Sequence, residues 1–492
     1  MERIITRREF TKTVAKAASA AGLLAFVPSC SSVLSPTDVR DLLRSDLSDF
    51  GGRLVFDDAS RQAAADDFGH IVRWLPTAVL NPDSVEDVMK MARFANRRGV
   101  KIAMNGNSHS CFGHAQVENG VVIRSGGLKT IHRIDDSKAH VDAGVTWAEL
   151  LKTTLARGLT PPVMTEFQDL SIGGTLSLGG LGGASHRFGA QVDHVLELEV
   201  VTGAGELLTC SIDRNRELFY SLLAGFGQSA LIVRATIRLV PAPTHVIVQN
   251  LVYLDLGSYL ADALQAAQDA RFDHQLGRVA FEAGGRPTFR LEAGRFYSEP
   301  AKPDLADATA GLRYIEAMKP VTYTYWEYLN QRPAVVRPAK GWYLPHATLY
   351  LFLPVSEIEG FLTHMLATPS EYAGARIPAL FGIYPLSTRN FTRPLFQVPK
   401  DGAQFFALYL FRTAPADDPG SISAMVGANK TLYERALAAG GKQYPVTAAP
   451  LTPSEWRRHF GPEAWKLLSH AKKQYDPKNV LTPGPGIFNA VG

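Results

Sequence analysis

Apolar and polar positions follow two periods that alternate irregularly along this chain. Short apolar runs between polar or glycine positions predict strands over 79–81, 100–104, 120–123, 139–144, 196–201, 230–237 and 348–353. Apolar positions three and four residues apart predict helices over 84–95, 146–156, 217–223 and 256–271. Ser84 and Asp87 have the spacing of a capping box at the start of the first helix. Because strands and helices do not alternate one for one, the pattern predicts an α+β fold rather than a βαβ repeat.

The length of the chain and the positions of two prolines predict two domains. Its 492 residues, of which 46% are hydrophobic, are enough for two cores of ordinary size. Pro241 and Pro243 stop both helix and strand, so they mark the boundary between the domains. We therefore expect a first domain over 67–241 and a second over 242–440. The polar stretch 31–66 is typical of a tether and entry segment ahead of the first domain.

Residues 1–30 differ from the rest and are set apart as a signal peptide. The run 6–12 contains the pair Arg7-Arg8 of a twin-arginine signal, and the apolar stretch after it is too short and weak to span a membrane. Twin-arginine export carries folded proteins, so we expect a periplasmic or cell-envelope protein that receives its cofactor before export. Cys30 follows small residues and is a candidate lipid anchor, with lipidation left open. The two other cysteines are too few for a disulfide framework.

Charge and composition narrow the class of partner. The net charge is +4 with 20% charged residues, and no basic run with interleaved aromatics follows the N-terminus. Nucleic acid is therefore not expected as a partner, and a small molecule is. Aromatic residues are dense between Tyr323 and Tyr343, which fits either an apolar ligand pocket or an ordinary core. We expect no metal site.

Three glycine-rich segments carry the candidate chemistry. The first, 105–114, follows a predicted strand directly and leaves successive backbone N–H groups free to bind an anion such as a diphosphate. The second, 172–189, contains seven glycines and permits close backbone approach to a flat or charged ligand. It lacks the strand-GxGxxG-helix arrangement of nicotinamide-binding proteins. The third, 223–230, leads into a strand. His109 on its own is more typical of a turn histidine that is hydrogen-bonded to its neighbours.

Taken in order, these segments resemble the FAD-binding domain of the vanillyl-alcohol oxidase and para-cresol methylhydroxylase (PCMH) superfamily, most of all the cytokinin dehydrogenases. Those enzymes have a Gly-x-Gly-His-Ser-x-x-Gly-Gln loop whose histidine is bonded to the flavin, and residues 106–114 match it with Ser108 for Gly and His114 for Gln. The family's Gly-Gly-Thr-Leu-Ser block stands at 173–177. Most of the chain is covered, because four later segments are also similar: 344–354, 383–386, 456–461 and 475–484.

The resemblance implies a two-domain FAD-binding fold of PCMH type with a cytokinin-dehydrogenase-like substrate domain, and a C-terminal segment over 441–492 that returns to the FAD domain. It implies FAD bonded covalently through His109. A second, cysteinyl bond is not expected, because Phe167 stands at that position, and Pro485 replaces a flavin-contacting glutamine. The flavin-binding residues it implies are Gly106, Asn107, Ser108, His109, Ser110, Gly113, His114, Gly173, Gly174, Thr175, Ser177, Gly179, Gly182, Gly227 and Ile232.

Hydride removal from a carbon that bears nitrogen or oxygen needs a group that accepts the N–H or O–H proton. Cytokinin dehydrogenases are similar to this chain in placing a carboxylate shortly before the Gly-Gly-Thr-Leu-Ser block, an Asp in the family and Glu166 here. The longer arm of Glu is expected to shift the substrate by about 1 Å. Asp169 is the alternative base. We expect desolvation by the flavin and by aromatic walls to raise the pKa of the true base.

The resemblance therefore predicts an FAD-dependent oxidoreductase that oxidises a CH–NH bond of a small amine by hydride transfer to flavin N5, followed by hydrolysis of the imine. An alcohol or carbohydrate oxidase on the same fold is the first alternative, because such folds host many substrates. A lipid-anchored binding protein without catalysis is the second. No motif specifies the electron acceptor, for which oxygen, a quinone and a cytochrome are all open.

Overall fold

The computed structural model describes residues 35–46, 50–282, 285–339, 341–374 and 381–488. The predicted signal peptide and Cys30 lie outside this part of the chain. None of the described helices combines the length and the apolar character that crossing a bilayer requires.

The described residues of the first domain, up to Pro241, form seven α-helices and eleven strands, besides two short 3₁₀ helices at Ser125–Gly127 and Gln191–His194. The helices are α1 Pro36–Asp46, α2 Asp58–Ala64, α3 Val85–Arg98, α4 Trp147–Leu155, α5 Ile172–Leu176, α6 Ser185–Phe188 and α7 Arg216–Leu222. The strands are β1 Arg53–Val55, β2 Ala78–Asn81, β3 Ile102–Asn105, β4 Val121–Arg124, β5 Ile131–Ile134, β6 Lys138–Asp142, β7 Leu159–Thr160, β8 Val195–Thr202, β9 Leu207–Ser211, β10 Ala230–Arg238 and β11 Val240–Pro241.

Two sheets form the frame of this domain. In the first, of order β1-β2-β4-β3, the strands β2, β4 and β3 are parallel, and their nearly continuous apolar runs are buried on both faces. In the second, of order β5-β6-β10-β8-β9, all neighbours are antiparallel. The loop 105–114 leaves the end of β3, so this edge of the first sheet presents the first glycine-rich segment.

The starts of two helices differ in how they are capped. In α3, Ser84 accepts a hydrogen bond from the backbone N of Asp87 at 3.4 Å. The Asp87 carboxylate does not return to Ser84, because it accepts from the backbone N–H groups of Gly51, Gly52 and Asp83, so the predicted capping box is only half formed. At α4, Thr146 and Glu149 form the complete reciprocal box.

The second domain and the C-terminal segment contain the remaining described elements. The helices are α8 Leu256–Gln268, α9 Leu305–Thr309, α10 Tyr325–Val336, α11 Val355–Leu366, α12 Pro419–Ala438 and α13 Pro453–Tyr475. The strands are β12 His245–Tyr253, β13 His274–Phe281, β14 Pro287–Tyr297, β15 Glu316–Ala317, β16 Val321–Thr324, β17 His346–Pro354, β18 Phe381–Ser387, β19 Gln404–Thr413 and β20 Lys442–Gln443.

Two antiparallel sheets of the second domain meet side by side at β13 and β18. One has the order β13-β14-β12-β15, with β16 also paired to β12, and the other has the order β18-β19-β17-β20. A Cβ atom on Gly277 would lie only 1.8 Å from the carbonyl oxygen of Ile383, so a glycine is needed for the two backbones to come this close. This contact holds the two sheets together beside the first domain.

The C-terminal segment packs back onto the first domain. The backbone N of Thr482 donates to the carbonyl of Ile102 at 2.8 Å, and the N of Ile102 donates to Val480 at 2.9 Å, beside β3. The buried side chains of Lys472 and Asp476 form an ion pair with a 2.6 Å Nζ–Oδ2 distance. Asp476 also accepts hydrogen bonds from the backbone of Val480 and Leu481, so this ion pair fixes the turn that returns the chain.

The predicted strands and helices are present, with ends that differ by a few residues. The helix predicted over 256–271 ends at Gln268, and Ala270 has a positive φ of 51° that ends the helical conformation. The segment 31–66 is more structured than a tether where it is described. Its strand β1 pairs with β2, and Leu43 of α1 is fully buried in the core of the first sheet.

We predict that Asp476→Ala lowers the free energy of unfolding by about 3–5 kcal/mol, because it leaves the charge of Lys472 buried without its partner. Urea titrations of the purified chain measure this difference. The matched control is Asp58→Ala, which removes a carboxylate with an 88% exposed side chain from an ion pair with Arg61 and should leave the transition unchanged. Equal stability of the two variants would contradict a structural role for the buried pair.

Candidate functional site

A deep cavity lies between the two sheets of the first domain and the β17–β19 region of the second. Its wall includes the loop after β3, the segment 165–182, the start of β10 and several second-domain tyrosines. Most of the predicted site residues line it: Gly106, Asn107, Ser108, His109, Ser110, His114, Glu166, Gly173, Gly174, Thr175, Ser177, Gly182, Gly227 and Ile232. The topology therefore brings together residues that the sequence places in three separate segments.

Three predicted site residues lie outside the cavity wall. Gly113 has a φ of +71° and packs where a Cβ would come within 2.7 Å of Trp74, and Gly179 has a φ of +131° and packs against Phe396. Both glycines thus serve the close packing of the chain on itself. The Asp169 side chain is 51% exposed and forms an ion pair with Arg337 at 2.6 Å. Its carboxylate is a surface group rather than one that faces a ligand.

The loop 105–114 has the free donors of an anion-binding site. The backbone N–H groups from Gly106 to Ser110 donate no hydrogen bond to any group among the described residues. Ser108, at the position where the family has a glycine, takes a positive φ of 52°. Successive N–H groups in such a turn converge on an anion, as a diphosphate requires.

Asp67 holds this loop from outside the cavity. Its buried carboxylate accepts hydrogen bonds from the Ser110 hydroxyl at 2.9 Å and from the backbone N of Gly113 at 2.7 Å. The backbone N of Phe68 donates to Ser108 O at 2.7 Å, and that of Gly69 donates to Ser110 O at 3.2 Å. Burial raises the pKa of Asp67 to about 7, although its hydrogen bonds act in the opposite direction.

The His109 ring lies between two aromatic side chains at the cavity wall. It stacks on Phe68 with ring centroids 4.0 Å apart and lies 5.1 Å from the ring of Phe167. Burial lowers its pKa to about 4, so the imidazole is neutral at neutral pH. Among the described residues, neither ring nitrogen has a hydrogen-bond partner. A neutral imidazole with unpaired nitrogens can act as a nucleophile.

The rest of the wall is closely packed and contains polar atoms that suit a polar cofactor. A Cβ on Gly106 would lie 1.9 Å from the Ser171 hydroxyl, and one on Gly182 would lie 1.8 Å from the carbonyl of Met164, so these glycines let segments of the wall pack tightly on one another. The Ser171 Oγ and the His114 Nδ1 are buried at the cavity and have no hydrogen-bond partner in the part of the chain that the structure describes. Buried polar atoms of this kind require partners, which a cofactor with several polar groups would supply.

Glu166 lies at the cavity wall among arginines of the second domain. Its Oε1 accepts from Arg278 Nη2 at 2.8 Å and from Arg332 Nε at 3.2 Å. Burial acts to raise the pKa of Glu166, but Arg278 and then Arg332 outweigh it, so the pKa is lowered from its ordinary value. The predicted net rise in the pKa of Glu166 was therefore wrong, because the walls around it contain cations as well as aromatic rings.

Several residues that line the cavity were not predicted from the sequence. Tyr350, Tyr384, Tyr409 and Tyr444 line the end of the cavity near Glu166. The aromatic run 323–343 does not line it, although Trp342 and Tyr343 line a shallow depression on the other side of His109. The four tyrosines lie on or next to different strands, and their spacing along the chain is that of ordinary buried positions. Within the described residues, no group of three His, Cys, Asp or Glu side chains is arranged to hold a metal ion.

Comparison with known proteins places this geometry in a family. A model of the FAD binding domain matches residues 76–211, and a model for FAD and cytokinin binding in cytokinin dehydrogenase 1 matches residues 252–488. An uncharacterized oxidoreductase of the fasciation locus of Rhodococcoides fascians is 35% identical over 432 residues, which span 87% of this chain and 97% of that protein. Cytokinin dehydrogenase 3 of Arabidopsis thaliana is 30% identical over 497 residues, which span 90% and 92%.

A solved structure shows the same fold. The crystal structure of 6-hydroxy-D-nicotine oxidase from Arthrobacter nicotinovorans superposes with a TM-score of 0.69 at 19% identity and covers 89% of this chain and 98% of that one. Together with the two matching family models, this likeness confirms the predicted α+β, two-domain FAD-binding fold of PCMH type. The descriptions of the two family models also support FAD as the cofactor, and the free N–H groups of the loop suit a diphosphate such as the one in FAD.

We predict that Asp67 makes the stability of the FAD domain fall as the pH rises toward neutrality. Because the pKa of Asp67 is raised in the folded chain to about 7, its contribution is complete below its unfolded pKa of about 4 and is lost as the pH rises through about 7. Urea titrations of wild type and Asp67→Asn at several pH values should show the difference in unfolding free energy change by on the order of 4 kcal/mol over this range.

The comparison with Asp67→Asn controls for every other titrating group, since only residue 67 differs. The uncharged amide keeps the size of the side chain and removes its titration. A difference between wild type and variant that is the same at all pH values would contradict the prediction.

Proposed function

The chain belongs to the cytokinin dehydrogenase family of FAD-dependent oxidoreductases, and we propose that it oxidises a CH–NH bond of a small amine, with Glu166 as the group that receives the proton. The observation that carries this proposal is the ionised Glu166 carboxylate at the tyrosine-lined end of the FAD cavity. Bound FAD would supply the two-electron chemistry by accepting a hydride from the substrate carbon.

The residues of the first domain would hold the cofactor. The backbone N–H groups from Gly106 to Ser110 suit the diphosphate, and the unpaired Ser171 Oγ and His114 Nδ1 suit polar groups elsewhere on the cofactor. The glutamine that contacts the flavin in the family is Pro485 here, and the carbonyl of Pro485 accepts from Trp456 Nε1 at 2.9 Å. Ser171 and His114 are the side chains whose unpaired atoms could replace that contact.

The environment of Glu166 favours an amine over an alcohol. Arg278 and Arg332 keep the carboxylate ionised, which makes it available at neutral pH but also makes it a weaker base. Loss of hydride from a carbon next to nitrogen makes the N–H proton acidic, so a weak base suffices to remove it. An alcohol O–H must lose its proton as the hydride leaves and gains more from a stronger base. The alcohol or carbohydrate oxidase is therefore the second candidate.

We further propose that FAD is bonded to His109. Support comes from the neutral imidazole at the cavity wall, its unpaired nitrogens and the stacking of Phe68, which fixes the ring. A covalent bond would keep the cofactor in place after export. The twin-arginine pattern of residues 6–12 supports export to the periplasm or cell envelope, with Cys30 as a candidate lipid anchor.

We predict that N6-isopentenyl adenine bleaches the flavin of the wild-type enzyme in anaerobic stopped-flow experiments and that Glu166→Gln slows this bleaching by about 100-fold or more, because the amide cannot accept the proton. The variant should keep its bound, yellow flavin, since Glu166 is not among the groups that suit the cofactor. Alcohols and sugars serve as the competing substrate panel.

The control for this test is Asp169→Asn, which changes the exposed acid three residues away and should react at close to the wild-type rate. Bleaching by an alcohol or a sugar alone would favour the second candidate. A flavin that no member of the panel bleaches would favour a binding protein without catalysis. Unchanged bleaching in Glu166→Gln would refute the role of this carboxylate.

We predict that His109→Ala abolishes covalent attachment while FAD still binds. Acid-precipitated, SDS-denatured wild-type protein should give a flavin-fluorescent band on a gel, and the variant should give none, because the attachment atom is missing. The matched control His114→Ala removes the other cavity histidine of the loop and should keep the fluorescent band. Release of all flavin from denatured wild type would disprove the bond.

A further inference from the structure

Arg278 is a buried cation with unused hydrogen-bond donors. Its side chain is 6% exposed, and its Nη2 atom lies 2.8 Å from Glu166 Oε1 and 3.9 Å from Glu292 Oε2. The Nε and Nη1 atoms of the same guanidinium have no partner among the described residues. Buried unsatisfied donors are costly, and those of a charged group more so, which indicates that an acceptor from outside the chain completes them. Arg332 differs, because it bonds to both Glu166 and Glu292.

Tyr409 offers a second unused donor beside the first. Its hydroxyl is buried and unpaired, and its ring centroid lies 5.7 Å from Arg278 Cζ. Each of the other three tyrosine hydroxyls at this end of the cavity already has one protein partner, since Tyr350 and Tyr384 bond to each other and Tyr444 accepts from the backbone N of Gly180 at 2.8 Å. Tyr409 differs from these neighbours because its hydroxyl has no partner at all among the described residues.

The unused donors of Arg278 and Tyr409 lie beside the end of the cavity that we propose for the substrate. Glu166 and Tyr409, between which the Arg278 guanidinium lies, both line the cavity. Leu276 also lines it and precedes Arg278 by two residues on β13, so that strand alternation places both side chains on the same face of the sheet. Arg278 is not itself part of the cavity lining but contacts Glu166 and Tyr409, which are, so an acceptor atom of a ligand would meet Tyr409 at the wall with the Arg278 guanidinium directly behind it.

The charges and walls around these donors limit the kind of acceptor. Two arginines, Arg278 and Arg332, already balance two carboxylates, Glu166 and Glu292, so an additional anion would leave an uncompensated negative charge. Burial lowers the pKa of the neighbouring His274 to about 3, so it adds no positive charge. The cavity walls here are aromatic or apolar and suit a flat ring: Phe167, Leu276, Tyr350, Tyr384, Tyr409 and Phe411.

We propose that Arg278 and Tyr409 form a donor site that selects, among planar aromatic substrates, those that present a neutral acceptor, a ring nitrogen or a carbonyl oxygen. This inference rests on the proposed function only in taking this cavity as the substrate site. Both residues determine specificity by binding, and Glu166 retains the role of proton acceptor. A ligand without such an acceptor would leave the donors of Arg278 unpaired and bind more weakly.

The test measures how tightly benzimidazole and indole bind to the flavin-loaded enzyme. Benzimidazole has an acceptor ring nitrogen at the position where indole has a C–H group. Titration calorimetry and changes in flavin absorbance report affinity, at a pH where benzimidazole is neutral. We expect wild type to bind benzimidazole about 10-fold or more tightly than indole, as for a hydrogen bond to a charged donor. Tyr409→Phe and Arg278→Lys should each lose most of this preference.

Both variants are chosen to keep the fold. Tyr409→Phe removes a hydroxyl that no protein group uses, and Arg278→Lys keeps the positive charge beside Glu166 while it removes the planar donors. The matched control is Tyr253→Phe, which changes a buried tyrosine outside the cavity and should keep the wild-type preference. Circular dichroism and flavin content check that each variant is folded and loaded.

Equal affinity of wild type for the two ligands, or the same preference in Tyr409→Phe and Arg278→Lys as in wild type, would overturn the proposal. No binding of either ligand to wild type would overturn it as well. Because this test measures binding without turnover, its result is independent of whether N6-isopentenyl adenine bleaches the flavin. If N6-isopentenyl adenine does not bleach the flavin but wild type still prefers benzimidazole, the proposed reaction is rejected and the donor site is supported.

Discussion

Backbone N–H groups that are kept free for a ligand cannot also hold their own loop in shape. The loop from Gly106 to Ser110 has this difficulty, because none of its N–H groups is paired among the described residues. Its shape comes instead from its carbonyl and hydroxyl groups. The backbone N–H groups of Phe68 and Gly69 donate to the carbonyls of Ser108 and Ser110, and Asp67 accepts from the Ser110 hydroxyl. The stretch 67–69, between α2 and β2, therefore shapes the candidate cofactor site, although its residues bear no recognisable cofactor motif.

The same arrangement connects anion binding to the chemistry of His109. Phe68 is held to the loop by its backbone hydrogen bond to Ser108, and its ring lies against the imidazole of His109. Packing of this kind keeps the histidine neutral and in one orientation while the N–H groups beside it stay available. Ser108 takes a positive φ within this loop, so its backbone follows a path for which the related enzymes use glycine. The hydrogen bonds that Phe68 and Gly69 donate to this loop stabilise that conformation.

Sequence reasoning could reach the parts of the site whose signals are local. The loop 105–114 and the block 173–177 are contiguous motifs, and Glu166 is found by counting back from the second of them, so these residues were identified and the fold predicted from them is confirmed. Arg278 and Tyr409 were not identified from the sequence, because each occupies a strand position that by itself predicts only burial. The lowered pKa of Glu166 depends on Arg278, which lies 112 residues away along the chain. The prediction of a raised pKa was wrong because it considered only the aromatic residues near Glu166.

The cluster around Glu166 also has a consequence for how substrate and base are matched. A carboxylate that is bound by two arginines is a weaker base than a free one. Its position is fixed, however, because Arg278 and Arg332 contact the same Oε1 atom from two elements. One extra methylene relative to aspartate would otherwise add rotational freedom to the arm. Fixing that arm limits where a proton can be accepted, while Arg278 keeps two donors for a ligand. A single arginine thus links the position of the proton acceptor to the recognition of the ring beside it, and a change in one alters the other.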